Sequence, residues 1–100
     1  MSGGQNTTVV LSLYVCGDTP RSRRAIHRLQ EMLGDRQDCR VEVIDVIERP
    51  EAAEAARILA TPALVKESPP PVRRIVGDLT EAAVVLELLE LPLLPGQVPV

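Results

Sequence analysis

Aromatic residues are almost missing from this sequence. Tyr14 is the single aromatic residue among 100, and neither Trp nor Phe occurs. Proteins that bind single-stranded nucleic acid stack the bases on aromatic side chains. The net charge of −3 also provides no excess of positive charge for a phosphate backbone. We therefore expect an aliphatic core and no nucleic acid among the partners.

Cysteine and histidine are scarce as well. Cys16 and Cys39 are far apart and form no CxxC pair, and with His27 as the single histidine the ligands of a zinc site are lacking. His27 also lies off the apolar stripe of its predicted helix, so we expect it to be exposed. No Ser-His arrangement or glycine-rich phosphate loop is present. We expect reduced thiols, no metal, no cofactor and no enzymatic activity.

Long apolar runs are also absent. Residues 84–94 are apolar but are interrupted by Glu87, Glu90 and Pro92, whereas a membrane helix needs about 20 predominantly apolar residues. Residues 1–6 are small and polar and lack the basic and apolar regions of a secretory signal. These features predict a soluble, cytoplasmic protein with no membrane partner.

Seven secondary-structure elements are predicted within one domain. The first segment is β-branched and apolar almost throughout, which is typical of a central strand covered on both faces. Asp18 or Thr19 can cap the helix that follows, Pro20 suits its first turn and Gly34 suits its end. The predicted domain covers residues 7–91, between a disordered N-terminus at 1–6 and a Pro-rich tail at 92–100. Within this domain we predict, in chain order, strand 7–15, helix 20–33, strand 40–47, helix 51–59, strands 63–65 and 72–76, and helix 80–91.

The order of these elements predicts the topology of the sheet. A strand, a helix and a second strand favour a parallel pair joined by a right-handed crossover. The prolines at 69–71 separate two short strands and favour an antiparallel hairpin, because proline cannot donate a hydrogen bond to a ladder. The resulting order βαβαββα is that of the thioredoxin-like fold, in the α/β class.

Three segments of the chain together resemble the KaiB family. They are LYVCGDTPRSRRAI at 13–26, VIDVIERPEAAEAARILATPALVK at 43–66 and PPPVRRIVGDL at 69–79. The resemblance covers residues 8 to 91. Each motif alone is weak, but the ordered set with matching spacing is specific.

The resemblance implies a circadian clock regulator without catalysis of its own. Its expected partner is the hexameric RecA-like ATPase KaiC, whose phosphorylation cycle it would modulate, with KaiA-like proteins and histidine kinases as further candidate partners. The resemblance also implies a second, metamorphic fold. In that ground state, of order βαββααβ, members of the family self-associate as dimers or tetramers, whereas the thioredoxin-like state is monomeric and binds the ATPase. A sensor module like those at the N-terminus of some clock histidine kinases has the same thioredoxin-like fold and is a further interpretation.

The two folds assign different structures to the same residues. In the ground state, 52–59 and 84–91 would be strands, whereas 63–68 and 72–78 would be helical. The four alanines within 52–56 favour a helix instead. We therefore expect this chain to populate the thioredoxin-like state more than a typical relative does.

Basic side chains are the candidate partner-binding residues. Lys66, Arg73 and Arg74 match basic positions of the family around the predicted hairpin, and the resemblance implies that they contact acidic surface on the ATPase. Arg23 and Arg24 lie near the N-terminal end of the first helix, where positive charge is mildly unfavourable. This placement indicates a binding role, and a merely solvated helix face is the alternative.

Four prolines are candidate fold-switch residues, namely Pro62, Pro69, Pro70 and Pro71. Uncatalysed isomerisation of an X-Pro bond takes tens of seconds or longer. A conformational switch that changed one of these bonds would therefore be slow, which suits a timer.

Cys16 supports an alternative function. It is predicted between a strand end and a helix N-terminus, where a thioredoxin nucleophile lies and where the helix dipole can lower a thiol pKa. The alternative is a monothiol thioredoxin-like redox protein that uses Cys16. The resolving cysteine is absent, however, and a free cysteine often acts as a small buried hydrophobic residue.

Overall fold

The computed structural model describes residues 8–77, 79 and 82–89. The expectations for residues 1–6 and 92–100 lie outside this part of the chain, as do both ends of the predicted helix 80–91. The elements follow the order βαβαββα, which confirms the predicted one. They are β1 (Val9–Val15), α1 (Pro20–Leu33), β2 (Cys39–Asp45), α2 (Pro50–Ala55), β3 (Ala63–Ser68), β4 (Arg73–Val76) and α3 (Ala82–Leu88).

Strand β1 lies inside a four-stranded sheet of order β2-β1-β3-β4. It pairs in parallel with β2 and antiparallel with β3, and β3 and β4 form the predicted antiparallel hairpin. Residues 11–15 are all buried. The prediction of a central strand covered on both faces is therefore confirmed.

The two faces of the sheet carry separate apolar clusters, because successive strand residues point to opposite sides. We call the side packed against α1 and α3 the α1 face and the opposite side the α2 face. The α1 face carries the larger cluster: Leu11, Leu13, Val15, Ala25, Leu29, Met32, Leu33, Leu64, Leu79, Val85, Leu86 and Leu89. The α2 face carries Tyr14, Ile44, Ala63 and Val65, against which Ala52, Ala56 and Ile58 pack.

Helix α1 begins and ends as its sequence predicts. The Thr19 hydroxyl accepts a hydrogen bond from the Ser22 amide at 3.1 Å, and Pro20 occupies the first turn. At the other end, Gly34 adopts a φ of +53°, which glycine tolerates without the steric cost that other residues meet. Both cap predictions are confirmed, with Thr19 rather than Asp18 as the cap.

Helix α2 is shorter than the predicted 51–59, because it ends at Ala55. Arg57 adopts a φ of +56°, and the Ile58 amide donates to the Ala53 carbonyl at 2.9 Å, which closes the helix end. This turn allows Ile58 to pack on the α2 face. The high helix propensity of alanine led to the longer predicted helix. The packing of Ile58 on the sheet ends the helix earlier, because tertiary contacts override local propensity.

Candidate partner-binding surface

Lys66 and Arg73 face each other across the β3–β4 hairpin. Lys66 also lies opposite Leu11 of β1, so that it belongs to the α1 face. It is only 2% exposed, whereas Arg73 is exposed at the edge of the sheet. In this fold Arg73 is thus an exposed residue and Lys66 a buried one.

Arg74 occupies the opposite face of the same strand and is turned toward α2. Its Nη2 donates to the Ala56 carbonyl at 2.7 Å and its Nη1 to the Arg57 carbonyl at 3.2 Å. The carbonyl end of a helix carries partial negative charge, which favours a cation there. Arg74 therefore connects β4 to the C-terminal end of α2 while remaining exposed.

Arg23 and Arg24 are exposed residues of α1, whose first turn contains no acidic side chain. The Arg23 Nη1 atom lies 2.7 Å from Oδ1 of Asp18, just before the helix. One turn further along, His27 is exposed as predicted, with Nδ1 3.7 Å from Oε1 of Glu31. This part of α1 presents a basic face to solvent.

The five predicted binding residues do not form one cluster. Arg23 and Arg24 lie near the start of α1, which follows the C-terminal end of β1. Lys66 and Arg73 lie toward the other end of the sheet, because Lys66 pairs with Leu11 near the start of β1. Arg74 is on the other face, so the sheet brings together Lys66 and Arg73 alone among these five.

The predicted switch prolines occupy both ends of β3. Pro62 is buried immediately before the strand, and its carbonyl accepts a hydrogen bond from the Gly77 amide at 2.9 Å. Pro69, Pro70 and Pro71 connect β3 to β4 and lie outside the hairpin ladder, as predicted. Their role in switching stays a prediction.

The two cysteines have different surroundings. Cys16 is exposed in the loop between β1 and α1, and its carbonyl accepts a hydrogen bond from the Ser22 hydroxyl at 3.3 Å. Cys39 is half-buried at the start of β2. Burial, together with the neighbouring Asp38 carboxylate, raises the pKa of the Cys39 thiol, which lowers its thiolate fraction at neutral pH.

Asp45 is a positioning residue that sequence reasoning missed. Its Oδ1 atom accepts hydrogen bonds from the amides of Gly17 at 3.0 Å and Ile47 at 2.9 Å. These bonds, that from Gly17 first, lower the pKa of the Asp45 carboxyl group. They also explain why β2 ends at Asp45 instead of continuing to residue 47 as predicted. An Asp inside the predicted strand 40–47, where this residue type is unfavourable, was the available signal.

Arg36 and Asp38 form a second feature that the sequence did not reveal. Nε and Nη2 of Arg36 each lie 2.9 Å from a carboxylate oxygen of Asp38, and the Arg36 side chain is 0% exposed. The hydrogen-bonded guanidinium lowers the pKa of Asp38, and the carboxylate raises that of Arg36. This bidentate pair organises the loop between α1 and β2.

Two further properties concern the described residues. None of the helices in ranges 8–77 and 82–89 is long and apolar enough to cross a membrane. The same part of the chain contains no group of three or more His, Cys, Asp or Glu side chains arranged to hold a metal ion.

Solved structures place this architecture in a known class. The solution structure of the N-terminal domain of SasA from Synechococcus elongatus superposes with a TM-score of 0.67 at 24% identity, covering 90% of this chain and 84% of that one. A thioredoxin variant from Halobacterium salinarum gives 0.67 at 25% identity, covering 90% and 80%. The fold and the single exposed cysteine define a thioredoxin-like protein without the CxxC pair of a disulfide reductase.

The family follows from sequence comparison. The family model of the KaiB domain matches residues 12–91. The circadian clock oscillator protein KaiB of Prochlorococcus marinus strain MIT 9313 is 50% identical over 86 residues, which cover 84% of this chain and 72% of that protein. The chain belongs to the KaiB family of circadian clock proteins. The resemblance found in the three sequence segments is thereby confirmed.

Proposed function

We propose that this protein is a clock regulator that binds a hexameric KaiC-type ATPase and kinase and modulates its phosphorylation cycle, without catalysing a reaction itself. The observation that carries the proposal is the 50% identity to a circadian clock oscillator protein over most of the chain. On the basis of its membership of the KaiB family, we also propose KaiA-like proteins and histidine kinases as further partners. The proposed location is the cytoplasm.

Exposed arginines are the proposed contacts with the ATPase. Arg23, Arg24 and Arg73 are exposed, and guanidinium groups can pair bidentately with carboxylates on an acidic surface. Lys66 is buried beside Arg73, and Arg74 lies on the opposite face of β4, where it holds α2 against this strand. We therefore assign direct binding to the first three and a supporting role to the other two.

The second part of the proposal is fold switching to a self-associating ground state of order βαββααβ. Helix α2 supports this idea because none of its six residues is buried, so little packing energy opposes its conversion to a strand. Two packings that differ by a few kcal/mol can both be populated. Isomerisation at Pro62, Pro69, Pro70 or Pro71 would set the rate of interconversion.

Charge reversal tests the binding surface. Arg73→Glu and the double variant Arg23→Glu/Arg24→Glu should each weaken binding to the ATPase hexamer by at least about tenfold, measured by biolayer interferometry. Arg40→Glu is the matched control, because Arg40 is an exposed strand arginine at the opposite edge of the sheet. Equal losses in Arg73→Glu and Arg40→Glu would show a general charge effect and contradict this surface.

The exposure of Cys16 at the start of α1 supports one alternative, a monothiol redox protein. The discriminating experiment is the removal of glutathione from a glutathionylated substrate by the wild-type protein and by Cys16→Ser, with reduced glutathione supplied to regenerate the Cys16 thiol. Turnover that disappears in Cys16→Ser, combined with no binding to the ATPase, would favour the alternative over the clock regulator.

A further inference from the structure

Positive charge is concentrated on α1 although the chain as a whole is acidic. The helix contains four of the eleven lysine and arginine residues but only one of the fourteen acidic residues, Glu31. Its formal charge is therefore opposite in sign to the net charge of −3 for the whole chain. A local excess of this kind attracts anions that the rest of the surface repels.

The basic side chains line an open hollow along one side of α1, because residues three and four apart share a side of a helix. The hollow has a volume of about 790 Å³ and is lined by Pro20, Arg23, Arg24, His27, Arg28 and Glu31. Glu31 is the one carboxylate among the described residues of this lining, and its Oε1 atom lies 3.7 Å from Nδ1 of His27. The hollow is therefore bordered mainly by arginine.

The three arginines of the hollow differ in what they already contact. The Arg23 Nη1 atom is paired with Oδ1 of Asp18 at 2.7 Å. Arg28 is half-buried, and its Nη1 atom donates to the Leu79 carbonyl at 3.5 Å, which is long for such a bond. Arg24 is exposed, and within the described part of the chain nothing forms a hydrogen bond or ion pair with it. Arg24 and Arg28 thus retain N–H donors for a bound anion.

Arg24 and Arg28 are also close enough to share one ligand. They are four residues apart, so they lie one turn from each other on the same side of the helix, where like charges are destabilising. Glu31 lies beyond Arg28, toward the end of the helix and next to His27. An anion held between the two arginines would remove their repulsion.

The chemistry of the hollow favours phosphate groups. A phosphate accepts bidentate hydrogen bonds from a guanidinium group, and a phosphate chain carries several negative charges close together, as two neighbouring arginines require. A nucleobase would need an aromatic side chain for stacking. The single aromatic residue, Tyr14, is buried on the α2 face, on the other side of the sheet from α1.

We propose that Arg24 and Arg28 bind a phosphate chain, such as inorganic triphosphate or the triphosphate of a nucleotide, without recognition of a base. The site does not depend on the proposed function. Arg24 is also a proposed contact with the ATPase, but the experiment uses the chain alone, so a negative result leaves that proposal unaffected.

Titration of the full chain with sodium triphosphate, followed by amide NMR, tests the site. We use about 150 mM NaCl, where the screening length of about 8 Å suppresses long-range attraction. The amide shifts should be concentrated in residues 20–31, with a Kd below about 1 mM. A larger Kd, or shifts spread evenly over the strands, would overturn the proposal.

Substitution of both arginines tests their role. Arg24→Gln/Arg28→Gln removes the guanidinium groups but keeps residues of good helix propensity, and it should weaken binding by at least about tenfold. The matched control is Arg40→Gln/Arg73→Gln, which makes the same charge change at exposed positions of the two edge strands. The control should bind within about twofold of the wild type. Equal losses in the two double variants would show a general charge effect and overturn the site.

The choice of ligand separates phosphate recognition from its alternatives. ATP, GTP and inorganic triphosphate should bind within about threefold of one another, whereas AMP should bind at least about tenfold more weakly. A nucleotide that binds about tenfold more tightly than inorganic triphosphate would contradict the absence of base recognition. A hexaglutamate peptide should bind more weakly than triphosphate. Equal or tighter binding of the peptide would assign the hollow to an acidic polypeptide and overturn the proposal.

Discussion

The Arg74 guanidinium donates to the carbonyl oxygens of both Ala56 and Arg57, at 2.7 and 3.2 Å, and thereby joins β4 to the C-terminal end of α2. The helix itself buries none of its residues. The contact therefore helps to hold α2 in place, together with the packing of Ala52, and it connects the hairpin to the helix on the α2 face.

Replacing Arg74 by Ala should lower the free energy of unfolding by about 1 kcal/mol, because two charge-assisted hydrogen bonds are lost at an exposed site. Urea denaturation measures the change. Amide exchange of Ile58, which closes the helix end, should accelerate more than exchange in β1.

The control for this prediction is Arg73→Ala, which removes the neighbouring arginine on the opposite face of β4. In Arg73→Ala the amide hydrogen of Ile58 should exchange at nearly the wild-type rate. Similar local effects in both variants would show that Arg74 does not act through α2.

Replacing Arg57 by Gly should stabilise the protein by about 0.5–1 kcal/mol, because its φ of +56° is costly for a residue with a Cβ atom. The melting temperature should rise by roughly 4 °C. Arg57→Ala removes the same side chain without relieving the backbone, so it should not stabilise. An equal rise in melting temperature in both variants would show that loss of the side chain, and not relief of the backbone, causes the stabilisation.

Replacing Asp38 by Asn should destabilise the protein at pH 7 by about 1–2 kcal/mol, since it leaves the buried Arg36 guanidinium without its carboxylate. This figure is below that of a fully buried pair because the Asp38 side chain is 41% exposed. Urea denaturation at two pH values provides the measurement, with exposed Asp35→Asn as the control in the same loop.

The pH dependence of this effect follows from the lowered pKa of Asp38. A carboxyl group whose pKa is lower in the folded state stabilises the fold above its unfolded pKa of about 3.9, and this stabilisation disappears as pH falls through the folded pKa. The difference between wild type and Asp38→Asn should therefore shrink in strong acid. A difference that is the same at pH 7 and at low pH would contradict the ion-pair explanation.

Thiol labelling should separate the two cysteines. Cys16 is exposed and should react first with an aromatic disulfide reagent at neutral pH, whereas the half-buried Cys39, with its raised pKa, should react slowly. Cys39→Ser should remove the slow phase and Cys16→Ser the fast one. Equal labelling rates for the two thiols in the native protein would contradict the burial of Cys39.

Sequence patterns predicted the elements better than their ends. Helix α1 carries its own N-cap, proline and terminal glycine within a few residues, so both ends agree with the prediction. Helix α2 has no such local end signal, and its alanine-rich composition extended the predicted helix beyond Ala55. Its actual end depends on the packing of Ile58 against the sheet, which is a long-range contact.

The candidate binding residues show the same difference between what local sequence predicts and what depends on tertiary structure. Basic residue types and family motifs identified Lys66, Arg73 and Arg74, but their different surroundings depend on the face of the sheet that each occupies. Arg36 and Asp45 carried no strong sequence signal, because what distinguishes Arg36 is burial and what distinguishes Asp45 is a hydrogen bond to Gly17.

The sequence by itself determined the order of strands and helices, the family and the scarcity of catalytic groups, because these depend on local periodicity, caps and residue types. Only the tertiary structure decided that Lys66 is buried, that Arg74 binds the end of α2, and that β2 and β4 are the edges of the described sheet. Strand register and sheet order place residues far apart in the chain beside one another, and these relationships set burial and hydrogen bonding.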